Sequence, residues 1–211
     1  MVNGQWLKGS GGAAVWAAIT PADVANIPYG TSLPASPFDG QEAILVDSVS
    51  NPTYQWRFRY NAGSTSTYKW EFVGGSPVIL GKVNPNVLID TSPAVGATAY
   101  HYPTGWAFTV PRAGDWDVWG GFDFTNTADG NNYYQQAGAF ADTAMVGPVY
   151  GCYFTLAVAA TVAVSVPPNT MTAVVSGKLV GIAANTNDNV GGSNKVKFDG
   201  GSVYVLPRRV S

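Results

Sequence analysis

The stretch YQWRFRYNAGSTSTYKWEFVGG, Tyr54 to Gly75, decides how the chain is read. Tyr54, Trp56, Phe58 and Tyr60 alternate with Gln55, Arg57 and Arg59. After the polar segment NAGSTST, Tyr68, Trp70 and Phe72 alternate with Lys69 and Glu71. Successive side chains of a strand point to opposite faces, so period two on both sides of a short polar loop predicts a β-hairpin with one buried aromatic face. A two-stranded ribbon alone is marginal in water. The run EAILV at 42–46 supplies a third strand, and neighbouring subunits are expected to complete the cover over the aromatics.

The rest of the chain has the same character. Of 211 residues, 46% are apolar and only 11% charged, a balance that folds rather than staying solvated. With 25 Gly, 14 Pro, 7 Trp, 11 Tyr and 9 Phe, and with helix formers scarce, the composition predicts an all-β protein. Net charge is −2 with no basic stripe, which argues against nucleic acid as a partner. The single cysteine, Cys152, allows no intrachain disulfide and fits folding in reducing cytoplasm. The N-terminal residues MVNGQWLKGSGG lack the apolar core of a signal peptide. The longest apolar run, LAVAATVAVSV, is too short to cross a bilayer, so no membrane insertion is expected.

Three sections follow from texture. Residues 1–37 read as an anchoring segment and linker: Gly9 to Gly12 as flexible chain, then TPADVANI as a turn or two of helix, with Thr20 as N-cap, Pro21 at the first helical position and Asp23 at the positive end. Residues 38–80 hold the aromatic module. Residues 81–211 read as strands between Asn, Gly and Pro loops: GWAFTVP, DWDVWGGFDF, YGCYFTLAV, ATVAVSVP, TMTAVVSGKLVGIA and GSVYVLPRRV. Short strands in series without helical periodicity predict a β-sandwich of jelly-roll type.

Reactive groups are few. His101 is the only histidine, which removes His-based triads and multi-His metal sites, and between Tyr100 and Tyr102 it reads as structural or exposed. Cys152, mid-strand among aromatics, reads as an inert buried thiol. Asp115 and Asp117 share a strand face at the spacing of every i, i+2 pair, so they read as solvated carboxylates rather than a glycosidase pair. The runs DFTNTADGNN (123–132) and NTNDNVGG (185–192) are rich in oxygen ligands but lack the spacing of a calcium loop, and Asn and Asp serve turns equally well. No Gly-rich phosphate loop opens a helix. No catalytic residue, metal site or cofactor is expected. Trp106, Trp119, Tyr133 and Tyr134 are the candidates for contact with a ligand or another subunit. Trp116 alternates with core residues, whereas Trp119 falls on the Asp face beside two glycines.

The segment LPASPFDGQEAILV with WRFRYNAGSTSTYKWEFVGGSP resembles a module that recurs in virion proteins of tailed bacteriophages, especially minor tail and tail-fibre proteins; Asp39 to Glu42 and Tyr68 to Gly75 carry the likeness. GQWLKGSGGAAVWAAITPADV is similar to the segments that lead into that module. FTVPRAGDWDVWGG, Phe108 to Gly121, resembles the start of their trimeric jelly-roll tips, related in pattern to tumour-necrosis-factor-like domains, with VPPN (166–169) and YVLPRRV (204–210) in later strands. Trp116 stands where tyrosine is usual in that pattern.

The resemblance implies a structural virion protein, made in the host cytoplasm, with a homotrimeric, apolar subunit interface in which the aromatic face Tyr54, Trp56, Phe58, Tyr60, Tyr68, Trp70 and Phe72 is shared around an axis. Its implied partners are other copies of the chain, other phage virion proteins and a host-surface glycan or receptor. A minor tail or tail-tip protein is the first expectation. A capsid decoration protein docked through its N-terminal region is the alternative, and a depolymerase or esterase is the least favoured.

Overall fold

The computed structural model describes residues 5–10, 13–18, 27–80, 87–90, 105–125, 133–142, 144–148, 150–154, 161–188 and 195–211. The helix expected around Thr20, His101, the greater part of DFTNTADGNN and half of NTNDNVGG lie outside them. Among the described residues there is no helix: the chain is all-β.

The first strands are β1 (Gln5–Ser10) and β2 (Ala13–Ala18), an antiparallel pair running from Gln5↔Ala18 to Ser10↔Ala13. Gly9 and Ser10, expected to act as linker, therefore belong to β1, while Gly11 and Gly12 lie outside the described residues. Next come β3 (Tyr29–Gly30), β4 (Glu42–Val46), β5 (Gln55–Tyr60), β6 (Trp70–Gly75), β7 (Val78–Leu80) and β8 (Val87–Asp90). The remainder are β9 (Ala107–Thr109), β10 (Gly114–Thr125), β11 (Tyr133–Ala141), β12 (Ala144–Met145), β13 (Tyr150–Phe154), β14 (Thr161–Val174), β15 (Leu179–Asp188) and β16 (Lys195–Val210).

Two larger sheets hold the core. One runs β14-β10-β16-β6-β5-β4-β3, with β7 and β8 also paired to β16. The other runs β12-β11-β15-β9, with β13 paired to β11. The long strand β16 organises the first sheet. Along one edge it meets β6 at Arg209–Val210, β7 at 203–205 and β8 at 195–198, so that edge is covered in three pieces by one descending stretch of chain.

The aromatic hairpin is where the sequence reading placed it, but its cover comes from within the chain. In β5, Trp56 and Phe58 are buried while Gln55, Arg57 and Arg59 are exposed. Tyr54 stacks on Trp56 with ring centroids 3.8 Å apart, and the Trp56 ring meets Phe108 at 6.1 Å and Trp116 at 5.5 Å, edge on. Trp56 Nε1 donates to the Ser76 carbonyl at 3.0 Å. Phe58 meets Phe72, and Tyr60 meets Trp70, also edge to face. Module and C-terminal sandwich thus share one sheet and one core, and the aromatics need no neighbouring subunit to leave water. Tyr68 precedes β6 and is half-buried.

The motif residues have structural roles. Gly40 sits at φ 80°, and its N–H donates to the Tyr60 carbonyl at 2.8 Å. Asp39 Oδ1 accepts from the Ala62 N–H at 2.9 Å, tying the Pro-rich lead to the hairpin loop. Glu42 pairs with Arg57 across β4 and β5. Gly75 lies opposite Trp56 at φ 129°, where a Cβ would come within 2.4 Å of the Gln55 carbonyl oxygen.

The core joins both sheets: Trp106, Val110, Trp116, Val118, Met171, Val180, Ile182, Val203 and Val205 are all nearly inaccessible. Gly120 faces inward, where a Cβ would come within 2.7 Å of Ile182 Cδ1 in the other sheet, so the glycine permits the close approach. β14 runs through Pro167 and Pro168, which were expected to end a strand. It is tolerated because β14 is an edge strand and its ladder with β10 shifts register between Val118 and Gly120, opposite the prolines. Met171 and Val174 still reach the core beyond them.

Tyr54 gives the joint a pH signature. Burial, with a smaller contribution from the Asp47 charge, pushes its phenol up to about 12 from 10.0. Asp47 is itself held low, chiefly by the Thr53 hydroxyl at 2.5 Å. An unfolded tyrosine ionises near 10 while the folded one keeps its proton, so stability is complete below that pH and falls as pH rises through the folded value. Allowing for solvent screening, the expected loss between these limits is about 1–2 kcal/mol. Urea midpoints from pH 9 to 12 measure it, and Tyr54→Phe should flatten that part of the curve.

Candidate functional site

On the outward face of the large sheet, alternation gives a row of apolar side chains. Tyr204 lies opposite both Trp119 and Ile79 in the ladders of β16 with β10 and β7. The Trp119 and Tyr204 rings stack at 5.4 Å with an interplanar angle of 13°. Ile79 is 62% exposed. On the other side of Trp119 the register shift brings Pro167 and Pro168, both exposed. Four strands thus present Ile79, Tyr204, Trp119 and the proline pair as one strip, roughly 15 Å across at the usual strand spacing.

The strip has polar borders. One neighbouring row contains Leu206, Asp117 and Thr170. There the Thr170 hydroxyl donates to Asp117 Oδ1 at 2.6 Å, and Arg208 reaches Thr170 at 3.0 Å. The opposite row is Ser202, Gly121 and Ser165. An apolar centre with a polar rim is the anatomy of a protein contact surface.

The two aspartates of β10 are structural. Asp115 Oδ1 accepts from the Ala173 N–H at 3.1 Å, and Ala173 is held at φ 56°, a conformation alanine disfavours. That contact spans the register shift between Gly114 and Trp116, and Asp117 secures the next rung through Thr170. The pair therefore fastens an edge strand around a bulge.

Of the contact candidates, Trp119 alone lies on the strip. Trp106 is 1% exposed and belongs to the core, so it offers nothing to a partner from this position. Tyr133 and Tyr134 fall in β11 rather than in a loop, opposite Phe154 and Tyr153 of β13. Cys152 lies in β13 opposite Gln135. The sequence reading missed Tyr204 and Ile79. Their signal was present in alternation, since Tyr204 lies between inward Val203 and Val205, but the pairing with Trp119 depends on the fold. Among the described residues no three His, Cys, Asp or Glu side chains group as a metal would need, and no helix is long and apolar enough to cross a membrane.

No protein-family model matches this chain, and no curated protein is significantly similar to it.

Proposed function

We propose that this chain is a structural virion protein of a tailed bacteriophage, a minor tail or tail-tip protein that contributes to host-surface attachment through a trimeric jelly roll. The observation that carries the fold part of this reading is strand pairing. Take β7 with β8 as the first strand of the sandwich and β16 as the eighth, with β12 and β13 together as the fifth. First pairs with eighth, second with seventh, third with sixth and fourth with fifth, all antiparallel. Eighth also pairs with third, and seventh with fourth. A long hairpin folded over on itself into two sheets gives this pattern, which is how a jelly roll is built.

The phage reading rests on the DGQE and YKWEFVGG resemblance together with this topology. The trimer reading rests on the outward strip: an apolar sheet face with polar borders has its cover supplied if copies of the chain pack about a threefold axis. Immunogold electron microscopy of virions carrying the protein, with antibody to residues 90–211, tests the assignment. Label at the tail tip supports it, label over the head makes the chain a capsid decoration protein, and virions without label overturn both.

A further inference from the structure

A cyclic trimer joins two different patches of each subunit, so a strip that packs about a threefold axis needs a complement elsewhere on the same surface. Beside the strip the sheet is recessed. Gly121 stands two residues beyond Trp119, a step of about 7 Å along β10, with Ser165 and Ser202 on its two flanks. A Cβ added at Gly121 would meet only the Val164 carbonyl oxygen, at 3.9 Å, so the space above it is open. Asp123 and Ala163 form the next row. The result is a trough with Trp119 as one wall, a floor of small residues and a carboxylate on the far rim. Among the described residues Asp123 has no hydrogen-bond or ion-pair partner.

The Pro-rich lead has the matching chemistry. Leu33 is buried and anchors it, while Pro34, Ala35 and Pro37 line one side of a cavity of about 570 Å³ whose other walls include Tyr60 and Trp70. Pro34 and Pro37 fix φ and carry no N–H, so the segment serves as a stiff arm and not as a ladder strand. Phe38 at its end is 69% exposed, the most exposed large apolar side chain among the described residues. The turn that follows brings Gly40 beside Arg59, where a Cβ would lie 3.5 Å from Nη2. Both carboxylates opposite Arg59 in the ladders are engaged elsewhere, Glu42 with Arg57 and Glu71 with Asn61. One patch thus offers a projecting ring with a cation behind it, and the other an open trough with a carboxylate on its rim. We propose that Phe38 of one subunit seats over Gly121 of the next, against Trp119, and that Arg59 pairs there with Asp123. This contact rests on the trimer reading and names the second half of its interface.

Sedimentation velocity and disulfide trapping of the full-length chain test it, with thermal melts to confirm that each variant is folded. Phe38→Ser removes an exposed ring, so the subunit is expected to stay folded while trimer assembly weakens about tenfold or more per contact. Asp123→Lys sets two cations against each other and is expected to weaken assembly likewise, and Arg59→Gln in the same chain to relieve part of that loss. Chains carrying Phe38→Cys, mixed with chains carrying Gly121→Cys, are expected to give a disulfide-linked dimer that neither variant gives alone, with wild type as the control for Cys152. A mixture that forms no such dimer, Phe38→Cys chains that link to one another as readily, or folded Phe38→Ser and Asp123→Lys chains that assemble like wild type would each overturn the proposal and leave the trimer in place. A wild-type monomer would remove the trimer and this contact together.

Discussion

Trp56→Ala is expected to destabilise the whole protein, by about 3–5 kcal/mol, the range for removing a fully buried large aromatic. Trp56 is 0% exposed and touches three rings that come from different parts of the chain: Tyr54 beside it, Phe108 in β9 and Trp116 in β10. Its indole N–H also secures the Ser76 carbonyl, which would be left without that donor. The form of the unfolding curve matters as much as its midpoint. Since β6 and β16 are paired and the hairpin shares the core of the sandwich, the variant should shift a single transition seen both by tryptophan fluorescence and by far-UV circular dichroism. A separate early transition, with the C-terminal strands retaining wild-type stability, would mean that residues 38–80 fold as an independent module and that the shared aromatic core contributes little.

That shared core marks the limit of what the sequence discloses. Period two is a local property, and it identified β5, β6 and β10 with their faces, including inward Trp116 and outward Trp119, while β4 was read only as a third strand. It carries no information about which distant strand completes the burial. The aromatic face of the hairpin therefore read as a surface awaiting another subunit, whereas Phe108 and Trp116 occupy it. Trp106 read as a contact candidate for the same reason, because its burial comes from the packing of the two sheets.

The strands that escaped notice have compositions that hide the period. In β11, YYQQAGAFA, residues 137–140 are all buried, so small and apolar side chains lie on both faces and no alternation survives. β14 was divided at Pro167–Pro168 because a central strand cannot hold such a pair; only the sheet order shows that it lies at an edge, with a register shift beside the prolines. The outward strip was half legible. Trp119 announced itself by its place among aspartates, but Tyr204 and Ile79 join it only through the β16 ladders. The cavity beside the Pro-rich lead was not legible at all, since its lining comes from segments far apart in sequence that the pairing of β6 with the end of β16 brings together.

Trp119→Ala should separate the subunits while leaving each one folded. In the single chain Trp119 is half-exposed and its ring contact is the stack on Tyr204, so its removal should cost the monomer only about 1 kcal/mol. In a trimer joined through this face, each subunit would lose a central aromatic anchor, and truncation of such a residue costs about 2 kcal/mol or more per contact. Three such losses around one axis amount to at least about 6 kcal/mol of assembly energy, enough to move a micromolar sample from trimer to monomer. Sedimentation velocity on wild type, Trp119→Ala and Tyr204→Ala reads this directly, with thermal melts to confirm that each variant is folded. A wild-type monomer at high concentration would remove the trimer from the proposed function. A wild-type trimer that survives both substitutions would place the subunit contact elsewhere and leave the strip of Ile79, Tyr204, Trp119 and the prolines as a surface for a different protein.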